Sequence, residues 1–296
     1  MKKMNYERLI KIFDKINATT PNGIPPMSLT EVMKMWEELS EWNQHKDLYA
    51  ESNTDWETLI KFYIVEYSCF ALAVDHKNNR REILLYNSLF TSITNTVFAI
   101  LKLAIDGLDY SAKVLFRNLL ELMLTLITVL IDKTKGEKLM DALKNDDTKT
   151  VWHKHFTLKK MIETISQHKK LEGTDFFEWL QERYSHFSSY AHNDFMAMVA
   201  LSHSMPQDEN GTMQINLCGS LATRTENLLG DLAELCYIFN LLFFSVCTDE
   251  ENHINKNTFG FTEETQEFWK NAIYLNFLNK SYYEEIIFEE SQNDQL

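Results

Sequence analysis

Two long apolar segments, residues 83–106 and 110–132, are separated only by the break Asp106-Gly107-Leu108-Asp109. A connection that short brings two helices together as antiparallel neighbours, so the pair predicts an αα-hairpin at the centre of the fold. Asp109 is placed to cap the second helix, because its carboxylate can accept from the free N–H groups of the first turn. The rest of the chain agrees with this start. Only 8 Gly and 4 Pro occur among 296 residues, too few for a turn-rich β fold. The expected class is all-α, a multi-helix bundle with long antiparallel core helices.

Breaker stretches divide the remaining sequence. Thr-Thr-Pro-Asn-Gly-Ile-Pro-Pro at 19–26 separates a short amphipathic helix (1–17) from one that starts at Ser28 or Thr30 and runs to Trp42. A third helix is expected from Trp56 to Ala73, and shorter ones over 136–144 and 149–169. The Phe176–His192 segment, a long helix to Cys247 and a last helix capped by Thr262 complete the series. These group as an N-terminal helical segment (1–78), a core domain (79–250) and a C-terminal helix with an acidic tail (251–296).

The net charge of −14 repels phosphate and weighs against general nucleic-acid binding. Three apolar runs carry internal charges or amides: Asn95 and Lys102; Arg117, Asn118 and Glu121; and Glu234. A charge at the centre of a bilayer is costly, so these runs read as buried core helices and no membrane contact is expected. The opening residues 1–17 mix charged and apolar residues like a surface helix, so no secretory leader is expected. Cys69, Cys218, Cys236 and Cys247 are far apart and form no C-x-x-C pair, which fits reduced core thiols and a cytoplasmic location. His153 and His155 are two residues apart: on a helix they diverge and cannot share a metal, whereas on a strand they could. Metal, nucleotide and hydrolase signatures of the H-E-x-x-H, G-x-x-x-x-G-K-[ST] and G-x-S-x-G kind are absent from the sequence, and no cofactor is expected.

The run Arg-Tyr-Ser-His-Phe-Ser-Ser-Tyr-Ala-His-Asn-Asp at 183–194 stands out chemically. On a helix, Trp179, Leu180, Phe187 and Tyr190 form a core stripe. Ser185, Ser188, Ser189 and His192 follow i, i+3, i+4, i+7 on another face. Small hydroxyl residues there permit close approach of a neighbouring helix and can share hydrogen bonds with the imidazole. Asn193 or Asp194 is placed to cap a fresh helix, which puts His192 at a break where backbone groups are free. In the helix over 110–132, Arg117 and Glu121 are an i, i+4 pair in otherwise apolar surroundings. Arg before Glu is the weaker order for an intrahelical pair, so a third partner from another helix is expected, with His192 or Ser188 as the candidates.

The Arg117–Glu121 helix followed by the Ser/Tyr-rich helix ending at His192 resembles a bacterial helical family of unknown function, across roughly residues 80–250. Its matching positions here are Arg117, Glu121, Ser188 and His192. The Tyr190-Ala-His-Asn-Asp194 piece also resembles the end of the motif in HEPN domains, helical modules of antiviral defence and toxin systems. That resemblance implies an all-helical fold and, in many members, metal-independent ribonuclease activity with an Arg and a His. In this chain eight residues lie between Arg183 and His192, and the Arg117-Asn118 pair is on a different helix.

Three readings follow. The first is a cytosolic helical binding module, distantly HEPN-like, in phage defence or a toxin system, with a second copy, another protein or RNA as the expected partner. The second is a metal-independent ribonuclease in which His192 moves the proton and Arg117 or Arg183 steadies the phosphate. The third is a helical enzyme of another type built on Arg117, Glu121 and His192. Arg183, Ser185, Ser188, Ser189 and Asn193 are the expected binding residues around that centre.

Overall fold

A computed structural model describes residues 54–74, 81–168, 176–191, 223–247 and 263–293, with isolated positions at 14, 18, 30 and 34. Nine helices and no strand occur among the described residues. They are α1 (Thr54–Ala73), α2 (Arg81–Ile105), α3 (Asp109–Ile131), α4 (Lys133–Asn145), α5 (Thr148–His155), α6 (Leu158–Ser166), α7 (Phe176–Ala191), α8 (Thr223–Cys247) and α9 (Gln266–Asn293). The all-α bundle expected from the sequence is the observed class.

The central hairpin forms as its short connection requires. Gly107 adopts φ 70°, which ends α2 in the left-handed region that a side chain disfavours. Gly107 N–H donates to Ala104 O (2.9 Å) and Leu108 N–H to Leu103 O (2.8 Å), satisfying carbonyls that the helix end leaves open. Asp109 does not cap α3. It is the first helical residue and is buried, while Leu108 occupies the cap position without a side-chain bond. The segment 149–169 also differs from a single helix. Phe156 is buried at a turn between α5 and α6 and stacks on Trp152 at 5.4 Å, so the chain bends to bury the ring. Both His153 and His155 lie on the helical α5.

Helices α1, α2, α3, α8 and α9 share one continuous core. Phe70 of α1 is its hub: its ring meets Phe90 of α2 (5.3 Å), Phe243 and Phe244 of α8 (5.0 and 5.9 Å) and Trp269 of α9 (5.2 Å). On the other side of the hairpin, α7 lies against α3, and α8 also packs on α3. Cys69, Cys236 and Cys247 are free thiols, the last two buried; Cys218 lies outside the described residues.

The expectation of no membrane contact is corrected. Ile83–Ile105, Asp109–Ile131 and Leu228–Cys247 are each long and apolar enough to cross a membrane by length and composition, with mean hydropathies of 1.5, 2.0 and 1.5. The charges that argued against this are largely compensated by their neighbours. Arg117 is bonded to Glu121 and Glu234 to Arg183, and Lys102 sits in the last turn of α2 beside the Phe98 ring, where a long side chain reaches outward. Counting formal charges along a helix overstates the cost when partners neutralise them.

Candidate functional site

Helix α7 positions the expected site. Its Leu180 and Phe187 are buried, and Phe187 meets Phe116 of α3 at 4.9 Å between ring centres. This apolar stripe seats α7 between α3 and α8, so two consecutive residues can reach two different helices. Tyr184 turns to α3 and Arg183 to α8.

The Tyr184 hydroxyl donates to Glu121 Oε1 at 2.8 Å, and Arg117 Nε donates to the same oxygen at 3.1 Å. The Arg117 guanidinium also lies over the Tyr184 ring, 5.1 Å from its centre. The expected third partner from another helix therefore exists, but it is a phenol. Burial, and then the hydrogen bond to Glu121, hold the Tyr184 phenol above its ordinary range. The two α3 side chains keep about a quarter of their surface exposed, so the cluster is at the edge of the core.

Arg183 bridges two carboxylates of α8, with one Nη at 3.0 Å from Asp231 Oδ1 and the other at 2.5 Å from Glu234 Oε2. Trp179 Nε1 donates to the remaining Glu234 oxygen at 3.2 Å. Beneath these polar contacts a narrow apolar cleft is lined by Leu120, Leu124, Leu180, Leu235, Phe239 and Leu242.

His192 and Asn193 lie outside the described residues. The serine stripe does not act as one network. Ser185 is exposed, and Ser189 Oγ donates to the carbonyl of His186 in its own helix at 2.7 Å. Ser188 Oγ is buried without a hydrogen-bond partner among the described residues. His186, on the same helix, meets the rings of Phe187 and Tyr190 at 5.6 and 5.2 Å. Burial, with Lys113 nearby, lowers its tendency to protonate.

A second polar cluster lies where α1, α8 and α9 meet, and the sequence reading passed over it. Glu66 is 0 % exposed. Asn240 Nδ2 is 2.9 Å from both of its oxygens, and Asn279 Nδ2 donates to Oε2 at 2.7 Å. Burial pushes the Glu66 carboxyl up to about 8, against the pull of the two amides. Tyr63, one turn away, is raised as well, mainly by burial. A single acidic residue flanked at i−3, i+1 and i+4 by Tyr63, Tyr67 and Phe70 was the available signal, as were the asparagines within the apolar stretches of α8 and α9.

No family model matches the chain, and no curated protein or solved structure matches it.

The junction between α3 and α7 has a direct test. A double-mutant cycle with Tyr184→Phe and Glu121→Gln is expected to show a coupling of about 1 kcal/mol in urea denaturation, as for a partly exposed bond to a charged acceptor. Additive losses would mean that the phenol and carboxylate do not interact in solution.

Proposed function

We propose that the chain is a helical binding module, distantly HEPN-like, rather than a ribonuclease. The observation that carries this reading is the use of both candidate arginines. Arg117 is bonded to Glu121, and Arg183 is held between Asp231 and Glu234. A phosphate approaching either guanidinium meets carboxylates already bonded to it. The two clusters together bring three carboxylates against two guanidiniums, and this local charge opposes an anionic substrate. The Arg183 bonds fix α7 onto α8 and the Tyr184 bond to Glu121 fixes it onto α3, which suits a surface that has to hold its shape on binding. The HEPN likeness rests on the Tyr190-Ala-His-Asn-Asp194 piece, and the defence or toxin setting is the one that this resemblance implies.

The test is incubation of single-stranded and structured RNA with the full chain in EDTA, beside a His192→Ala control. The binding reading expects equal, background-level cleavage by the two proteins. Cleavage by the parent chain that disappears in His192→Ala would establish the ribonuclease instead. With three helices apolar enough to cross a bilayer, flotation with phosphatidylcholine vesicles belongs beside the RNA assay as a direct measure of lipid binding.

A further inference from the structure

We propose that residues 1–17 of this chain dock along the outward face of α9, with their apolar stripe on its exposed aromatic rings. The proposal goes beyond the reading above, since it concerns α9 and not the junction of α3 with α7. Helix α9 buries Trp269, Ala272, Asn279 and Ile286 on its inner side. Tyr274, Phe277 and Phe288 fall on the opposite side by helical geometry and are 69, 64 and 64 % exposed. From Tyr274 to Phe288 is about 21 Å along the helix axis. Aromatic rings bared along one helix face form the kind of patch that a protein surface keeps for a contact.

Charge selects the occupant. Helix α9 carries five Glu against two Lys, and past Lys280 it carries Glu284, Glu285, Glu289 and Glu290 with no cation. Glu284 and Glu285 are exposed and flank the line from Phe277 to Phe288 on its two sides. A second copy would bring the same negative charge against this face, and an anionic bilayer would meet the same repulsion. A basic amphipathic segment is the complementary partner. Two amphipathic segments are expected before α1. Residues 28–42 contain Glu31, Glu37, Glu38 and Glu41 against Lys34, so α9 repels them. Residues 1–17 contain Lys2, Lys3, Arg8, Lys11 and Lys15 against Glu7 and Asp14. Tyr6, Leu9, Phe13 and Ile16 follow i, i+3, i+7, i+10 and share one face of a helix. Asp14 and Ala18 are helical and exposed, and they fall on the side opposite to that face.

The connection allows the contact. Helix α1 begins beside the C-terminal half of α9, where the Tyr282 hydroxyl donates to Asp55 Oδ1 at 2.7 Å and the Trp56 ring lies 6.0 Å from that of Tyr283. Residues 18–53 join the segment to this point. Docking is then intramolecular and gains an effective concentration that a free partner lacks. A helix over residues 1–17 is about 25 Å long, enough to cover the three rings.

The experiment places the photo-crosslinker p-benzoylphenylalanine at position 277 of the full chain and maps the adducts by mass spectrometry, with and without phosphatidylserine vesicles. Position 277 is exposed, so the larger ring leaves the core intact. The expected product is an adduct within one chain to residues 1–17, with a yield independent of dilution. Arg8→Glu, Lys11→Glu and Lys15→Glu together are expected to lower that yield at least about threefold, whereas Arg8→Lys, Lys11→Arg and Lys15→Arg keep it. Should the labelled chain fail to fold, position 274 carries the label instead. Absence of an adduct to residues 1–17, or an adduct that joins two copies of the chain, overturns the proposal. So does a yield that the charge reversals leave unchanged. Transfer of the adduct to lipid when vesicles are present overturns the choice of occupant in favour of a bilayer.

Discussion

Glu66→Gln is expected to remove most of the loss of stability that the parent chain suffers between mildly acidic and alkaline pH. The carboxyl titrates at 4.5 in its ordinary state and at about 8 when buried in the fold. Between these values the folded chain holds a proton that the unfolded chain has released, so stability falls as pH rises. The contribution is complete below the lower value and gone above the higher one. A shift of this size corresponds to roughly 5 kcal/mol, and the full burial of the group calls for no reduction for solvent screening. Glutamine keeps the shape of the side chain and carries no charge at any pH. Its oxygen can accept from Asn240 or Asn279, and its nitrogen can donate to one of the amide oxygens that now lack a donor. Urea denaturation at pH 5, 7 and 9 measures the difference. Parallel profiles for the two proteins would show that Glu66 is wetted or paired in solution.

Phe70→Ala is expected to cost about 3 to 5 kcal/mol, the range for removing a buried ring from a core that cannot close the space. The ring contacts α2, α8 and α9 at once, through Phe90, Phe243, Phe244 and Trp269. Its neighbours are themselves large and fixed against one another, with Phe90 and Phe243 5.4 Å apart, so relaxation into the cavity is limited. Phe98→Ala is the matched control, because Phe98 is exposed on α2, and its cost is expected to stay near about 0.5 kcal/mol. Denaturant midpoints with unchanged m-values give both numbers. A Phe70→Ala loss no greater than that of Phe98→Ala would mean that the four helices do not meet around this ring.

The two polar clusters differ in how far they could be read in advance. Arg117 and Glu121 are four residues apart on one helix, and helical geometry alone places them together. The need for a third partner was legible too, from the apolar surroundings. Its identity was not. Nothing in the sequence sets Tyr184, the residue next to Arg183, apart from its neighbours as a partner for Glu121. Choosing among neighbouring letters required the rotation of α7 about its own axis, which is set by Leu180 and Phe187 seating against α3 and α8. Glu66 is a harder case. Its flanking aromatics marked it as facing the core, yet Asn240 and Asn279 lie 174 and 213 residues away. The membrane expectation is corrected by the length and apolarity of three helices, and of the charges weighed against it Glu234 has a partner, Arg183, that lies on another helix.

Local rules therefore set the helices, their approximate ends, the central hairpin and the pairing of Arg117 with Glu121. Each of these depends on residues a few positions apart, joined by bonds whose geometry repeats along the chain. Tertiary packing alone decided that Tyr184 meets Glu121, that Arg183 is held between two carboxylates, and that Glu66 is closed among three helices. Those contacts depend on how whole helix faces settle against one another, and burial then gives each polar group an energy that its own sequence neighbours do not contain.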